Sequence, residues 1–250
     1  MVIIFEVCCG SYQDALNAAA GGASRIELNS ALYLGGLTPS TASLKLIKAK
    51  TKLKVICMVR PRPAGFCYNN YEFEQMLFET ENLLENGADG IAFGCLNSDH
   101  TINTNQVERM SDLINKYKAE TVFHRAFDCV GEPLKAVEIL VNFKIKRLLT
   151  SGQKATALEG IELIKQLQKK YGQQIEILAG SGINSANAAE ILQYTGISQL
   201  HATCKSYKED NTTTAIGVSY GYLKGQLLNS YEEVDPSIVR KIVTVIDKKV

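Results

Sequence analysis

The most constraining feature of this sequence is a regular alternation of short apolar runs with helical segments. Strands are predicted at 3–8, 24–28, 54–59, 89–93, 120–124, 146–150, 175–179 and 198–203, starting roughly 20 to 35 residues apart. That is the size of one strand–helix unit. Ser11 with Asp14, and Thr156 with Glu159, have the spacing of helix capping boxes. Thr38-Pro39, Glu132-Pro133 and Asp235-Pro236 place proline at a first helical turn, the last helix running to about Lys248. Eight such units suit either a closed (β/α)8 barrel or an open doubly wound sheet. Open sheets usually carry fewer strands and a nucleotide-binding loop. Here GSGINS at 180–185 lacks the third glycine of such a loop, and no GKS or GKT occurs. The expectation is an α/β fold, a single (β/α)8 barrel of TIM type with its core at about 3–204. An irregular segment at 205–235 and a C-terminal helix follow.

Composition narrows the partners. Of 250 residues, 46% are apolar, enough for a large core. The 27 basic and 26 acidic residues nearly balance, so no single-sign field points to nucleic acid or an anionic membrane. No apolar run reaches membrane-spanning length, and the first ten residues, MVIIFEVCCG, do not read as a secretion signal. Seven cysteines, several inside predicted strands and none in a CxxC pair, suit a reducing cytoplasm better than a disulfide or zinc framework.

Parallel strands are covered on both faces and should be nearly all apolar. Polar residues at their carboxyl ends therefore point to the barrel mouth, where enzymes of this fold build their sites. Strand one offers Glu6 and Cys8, and strand two offers Glu27 and Asn29. Strand three ends in Arg60 and Arg62, and strand five in His124, Arg125 and Asp128. Strand eight offers His201 and Thr203.

Glu6 and Glu27 are candidates for general base and acid, since crowded carboxylates push a pKa upward. Arg60 and His124 suit stabilisation of an oxyanion, or the holding of an anionic substrate. Alternatively, Arg60 neutralises both glutamates in a rigid network. Asp128 is placed to orient His124 or Arg125. Arg62, Ser151, Gly152, Gly180, Ser181, Gly182, His201 and Thr203 are candidates for binding an anion or phosphate. By strand parity, Cys8 faces the mouth and Cys9 faces away. Cys204, after strand eight, is a conceivable second thiol beside Cys8 for Cu(I).

Several stretches resemble the CutC family of copper homeostasis proteins. They are EVC (6–8), GGASRIEL (21–28), GGLTPS (35–40), MVRPR (58–62), ADGIAFG (88–94), FHRAFD (123–128), LLTSGQ (148–153) with ALEG (157–160), and GSGI (180–183). The resemblance runs from about residue 5 to residue 206. It implies a TIM-type barrel, a cytoplasmic location, a homodimer, and copper handling with Cys8 as a Cu(I) ligand. The family's usual second cysteine, after strand two, is Asn29 here, and PAGF at 63–66 replaces its GGDF. Two functions stay open: copper binding, or enzymatic work by the Glu, Arg and His groups on a small anionic metabolite.

Overall fold

The computed structural model describes residues 3–248. Eight parallel strands close into a barrel in sequence order: β1 (Ile4–Cys9), β2 (Arg25–Leu28), β3 (Lys54–Met58), β4 (Gly90–Phe93), β5 (Glu120–Phe123), β6 (Arg147–Thr150), β7 (Glu176–Gly180) and β8 (Gln199–Ala202). Around them run α1 (Tyr12–Gly21), α2 (Thr41–Lys50), α3 (Asn70–Glu85), α4 (Thr104–Lys116), α5 (Pro133–Asn142), α6 (Ile161–Tyr171), α7 (Ala188–Thr195) and α8 (Pro236–Asp247). No described helix is long and apolar enough to cross a membrane.

Strand alternation sorts the side chains into two environments. Phe5, Val7 and Cys9 of β1, with Ile26 and Leu28 of β2, join the buried layer shared with the helices. The lumen holds a separate small apolar cluster of Ile56, Met58, Ala92 and Val122. Its amino end carries a polar and charged network. Arg25 bonds Glu6 at 2.5 Å and Gln199 at 2.6 Å. Gln199 donates to Glu176 at 2.8 Å, and Arg147 joins Glu176 to Glu120 at 3.0 and 2.9 Å. Polar strand residues thus gather at the amino ends of the strands as well as the carboxyl ends. Removing such groups from water is costly unless every charge is paired, and this chain of contacts pairs them.

Some local signals act differently from their sequence reading. Pro133 and Pro236 open their helices as expected. Pro39, however, precedes the cap Ser40 of α2. Ser11 caps α1, but the Asp14 carboxylate accepts from Gly10, not from Ser11. Thr156 caps only a turn, since α6 begins at Ile161.

The segment at 205–235 is not irregular. Its ends form an antiparallel pair, β9 (Lys205–Glu209) with β12 (Ser230–Val234), and β10 (Thr214–Ala215) pairs with β11 (Val218–Ser219) between them. Asp14 of α1 accepts from the Val234 backbone at 2.8 Å and anchors this hairpin beside the mouth.

Candidate functional site

A cavity of about 360 Å³ opens at the carboxyl ends of the strands. Cys8, Glu27, Asn29, Arg60, His124 and His201 contribute to its lining, and the β9–β12 hairpin supplies one wall. Ser181, Gly182 and Thr203 also line it.

The Cys8 thiol lies 3.9 Å from Glu27 Oε1. Asn29 donates to that same oxygen at 2.9 Å and approaches the Cys8 sulfur at 3.5 Å. Burial, opposed in part by His201 and by the Asn29 and Cys8 hydrogen bonds, holds the Glu27 carboxyl above its ordinary value. Burial, reinforced by the Glu27 charge, pushes the Cys8 thiol well up. One ligand atom each from Cys8, Glu27 and His201 lies within 4.8 Å of the other two.

His124 sits at the end of β5, its ring tilted on Phe66 at 5.1 Å. A Cβ on Gly94 would fall 2.6 Å from that ring, so glycine at 94 gives the imidazole its space. Burial, then the positive charge of Arg60, lowers the His124 pKa to about 3, so the ring is neutral at pH 7. Its Nδ1 accepts from the Ala126 amide at 3.1 Å, which assigns the remaining ring proton to Nε2.

Several expectations need correction. Glu6 is not a free acid or base in the mouth. It lies one layer lower, beside Arg25 and His201 in strand register. Burial raises its pKa, but Arg25 and then His201 outweigh this and hold it at about 2. His201 accordingly bonds Glu6 through Nδ1 at 2.8 Å. Burial lowers the His201 pKa, but the hydrogen bond to Glu6 and the charges of Glu27 and Glu6 outweigh it, so the net shift is upward.

Arg60 does not neutralise the glutamates. Its guanidinium bonds the carbonyls of Leu34, Gly36 and Ala64 and lies over Phe66, bracing the mouth loops. Arg62 turns away to Glu72 and to the Cys67 carbonyl. Asp128 orients Arg125 at 2.8 Å and has no hydrogen bond to His124. Cys204 lies in the helix-side layer with Cys9, so it does not pair with Cys8.

Ser151 and Gly152 do not line the cavity. Asp128 accepts from Thr150 and Ser151 and ties the LTSGQ turn to strand five. Gly152 has φ +69°, and an added Cβ would sit 2.1 Å from the Gly160 carbonyl oxygen. Gly152→Ala is therefore expected to cost at least about 1–3 kcal/mol of stability, read as a lowered urea midpoint. Gly180 is buried at the strand end beside His201 in register and is not part of the lining.

The sequence reading passed over Arg25 and Phe66. Arg25 shares strand parity with Glu27, which is a usable signal. Phe66 follows the strand-three arginines, but its inward turn depends on a loop path that no local pattern encodes.

The model of the CutC family matches residues 3–206. The chain belongs to the CutC family. A CutC family protein of Treponema denticola is 46% identical over 220 residues, covering 88% of this chain and 89% of its own. A human relative named copper homeostasis protein cutC homolog is 37% identical, covering 86% of this chain and 80% of its own. The crystal structure of a copper homeostasis protein CutC from Streptococcus agalactiae superimposes with a TM-score of 0.76 at 30% identity, covering 81% of this chain and 99% of that one. The Streptococcus agalactiae protein thus shares the barrel.

Proposed function

We propose that the barrel mouth binds a small anionic organic molecule and moves a proton on it. One observation carries this reading. Glu27 Oε2, Asn29 Oδ1 and His124 Nε2 are buried and lack hydrogen-bond partners among the described residues, and all three residues line the same cavity. An unpaired buried polar atom costs about 1–3 kcal/mol, so these groups favour an occupant that donates to Glu27 and Asn29 and accepts from His124.

The roles follow from the chemistry. His124, neutral and protonated at Nε2, donates a hydrogen bond to a carbonyl or developing oxyanion. Arg60 adds positive charge beside it. Glu27, with its raised pKa and free Oε2, exchanges a proton with the adjacent carbon or oxygen. Ser181, Gly182 and Thr203, at the ends of strands seven and eight, face the anionic end of the ligand. The test is Glu27→Gln, which is expected to lower turnover of an anionic metabolite that binds the wild type by about 10²–10⁴. Full activity in that variant would refute the assignment.

Copper homeostasis, the role named for the human relative, supports a second reading with Cu(I) as cargo at Cys8. The cluster of Cys8, Glu27 and His201 is the observation behind it. The donor set fits Cu(I) poorly. It has one sulfur, the third donor is a hard carboxylate, and Asn29 presents an N–H to the thiol. Under this reading, Cys8→Ser would lose competition against a Cu(I) chelator, whereas an unchanged competition curve would remove Cys8 as the ligand. A cytoplasmic, homodimeric protein built as one domain completes the proposal, and sedimentation of the full chain tests the dimer.

A further inference from the structure

The mismatch with Cu(I) points to a different ion. We infer that Cys8, Glu27 and His201 form a three-ligand site for a borderline divalent cation of the Zn²⁺ class, with the fourth position turned to the cavity. The inference rests on the reading of the mouth as a small-molecule site, because the open position faces that molecule.

Three independent features support it. The donor set combines one thiol, one imidazole and one carboxylate, all acceptable to Zn²⁺. The donor atoms lie within 4.8 Å of one another. Zinc bonds of about 2.0–2.3 Å set neighbouring ligands about 3–4 Å apart, so a small contraction completes the site. The supporting groups are also in place. Glu6 bonds His201 Nδ1 at 2.8 Å and leaves Nε2 as the ligating nitrogen, the carboxylate–histidine arrangement common beside metal ligands. Asn29 fixes one Glu27 oxygen at 2.9 Å, while Oε2 stays buried without a partner on a residue only 3% exposed. A bound cation satisfies that oxygen, and Glu27 is then a ligand in place of the proton carrier.

The arrangement has one open position in place of the fourth protein ligand of a structural zinc site. A water or a substrate oxygen therefore becomes the fourth ligand, and a cation there polarises an oxygen that His124 also addresses. This accounts for a cysteine in a mouth otherwise made of acids, an arginine and histidines.

The experiment is titration of the full chain with Zn²⁺ and Co²⁺ as the sole added ions. One equivalent is expected to bind, and Co²⁺ should show a near-ultraviolet thiolate band that Cys8→Ser removes. Glu27→Gln should weaken Zn²⁺ at least tenfold, and Glu6→Gln, acting through His201, about 10–100-fold. Far-ultraviolet circular dichroism of each variant separates lost binding from lost fold, and Cys8→Ser supplies the decisive comparison if Glu6→Gln does not fold. No stoichiometric Zn²⁺ or Co²⁺ binding, a thiolate band that survives Cys8→Ser, or stronger retention of Cu(I) than of Zn²⁺ against matched chelators would each overturn the inference. Binding of an anionic metabolite that depends on His124, without any bound cation, would overturn the metal site and leave the acid–base reading standing.

Discussion

Replacing Arg25 with methionine is expected to destabilise the fold by about 3–5 kcal/mol, measured as urea unfolding at pH 7. The guanidinium holds Glu6 at 2.5 Å and Gln199 at 2.6 Å, and its residue is only 2% exposed. Its loss leaves the buried Glu6 carboxylate with His201 as its remaining hydrogen-bond partner.

The pH dependence follows in sign. In the wild type, Glu6 titrates at about 2 rather than its ordinary 4.5. A depressed carboxylate contributes stability that is fully present above its unfolded pKa. That contribution is lost as pH falls from 4.5 towards about 2. Without Arg25 the Glu6 pKa moves upward, so acid unfolding should begin at higher pH. Pairing Arg25→Met with Glu6→Gln should return part of the lost stability, because both buried charges are then absent. An Arg25→Met protein as stable as the wild type would show that the lumen network holds little of the fold.

The second large effect lies at the mouth. Glu27→Gln is expected to lower turnover of a bound anionic metabolite by about 10²–10⁴ while the protein stays folded. Glutamine keeps the shape and can still accept from Asn29. The raised pKa of Glu27 means that the wild-type rate should titrate above the ordinary carboxylate value of 4.5, and this limb should vanish in the variant. Lowered turnover that keeps this limb in the pH profile would make Glu27 a binding group, not the proton carrier.

The barrel was legible because its signal is redundant. Eight predicted strands all overlap observed ones, and inward-facing residues follow from parity once the barrel is assumed. Depth along the barrel was less legible. Glu6 and Glu27 look equivalent in sequence, yet the stagger of closed strands places Glu6 beside Arg25 and aligns Cys8 with Glu27. Side-chain reach was hidden too. Arg62, two residues after Arg60, turns to Glu72 because the loop carries it outward. Asp128 serves the LTSGQ turn from the neighbouring strand, a contact set by tertiary packing alone. The 205–235 hairpin escaped notice because β9 is largely exposed and neither β9 nor β12 has the apolar alternation of a half-buried sheet.

The central claim is that the mouth binds a small anionic molecule through its unpartnered polar atoms. Thermal unfolding of the full chain against a panel of anionic metabolites tests it most directly. At 100 times its Kd, a ligand should stabilise the wild type by about 2.7 kcal/mol, and His124→Asn should lose most of that gain. No stabilising metabolite in the panel, or a gain of the same size in His124→Asn, would contradict it.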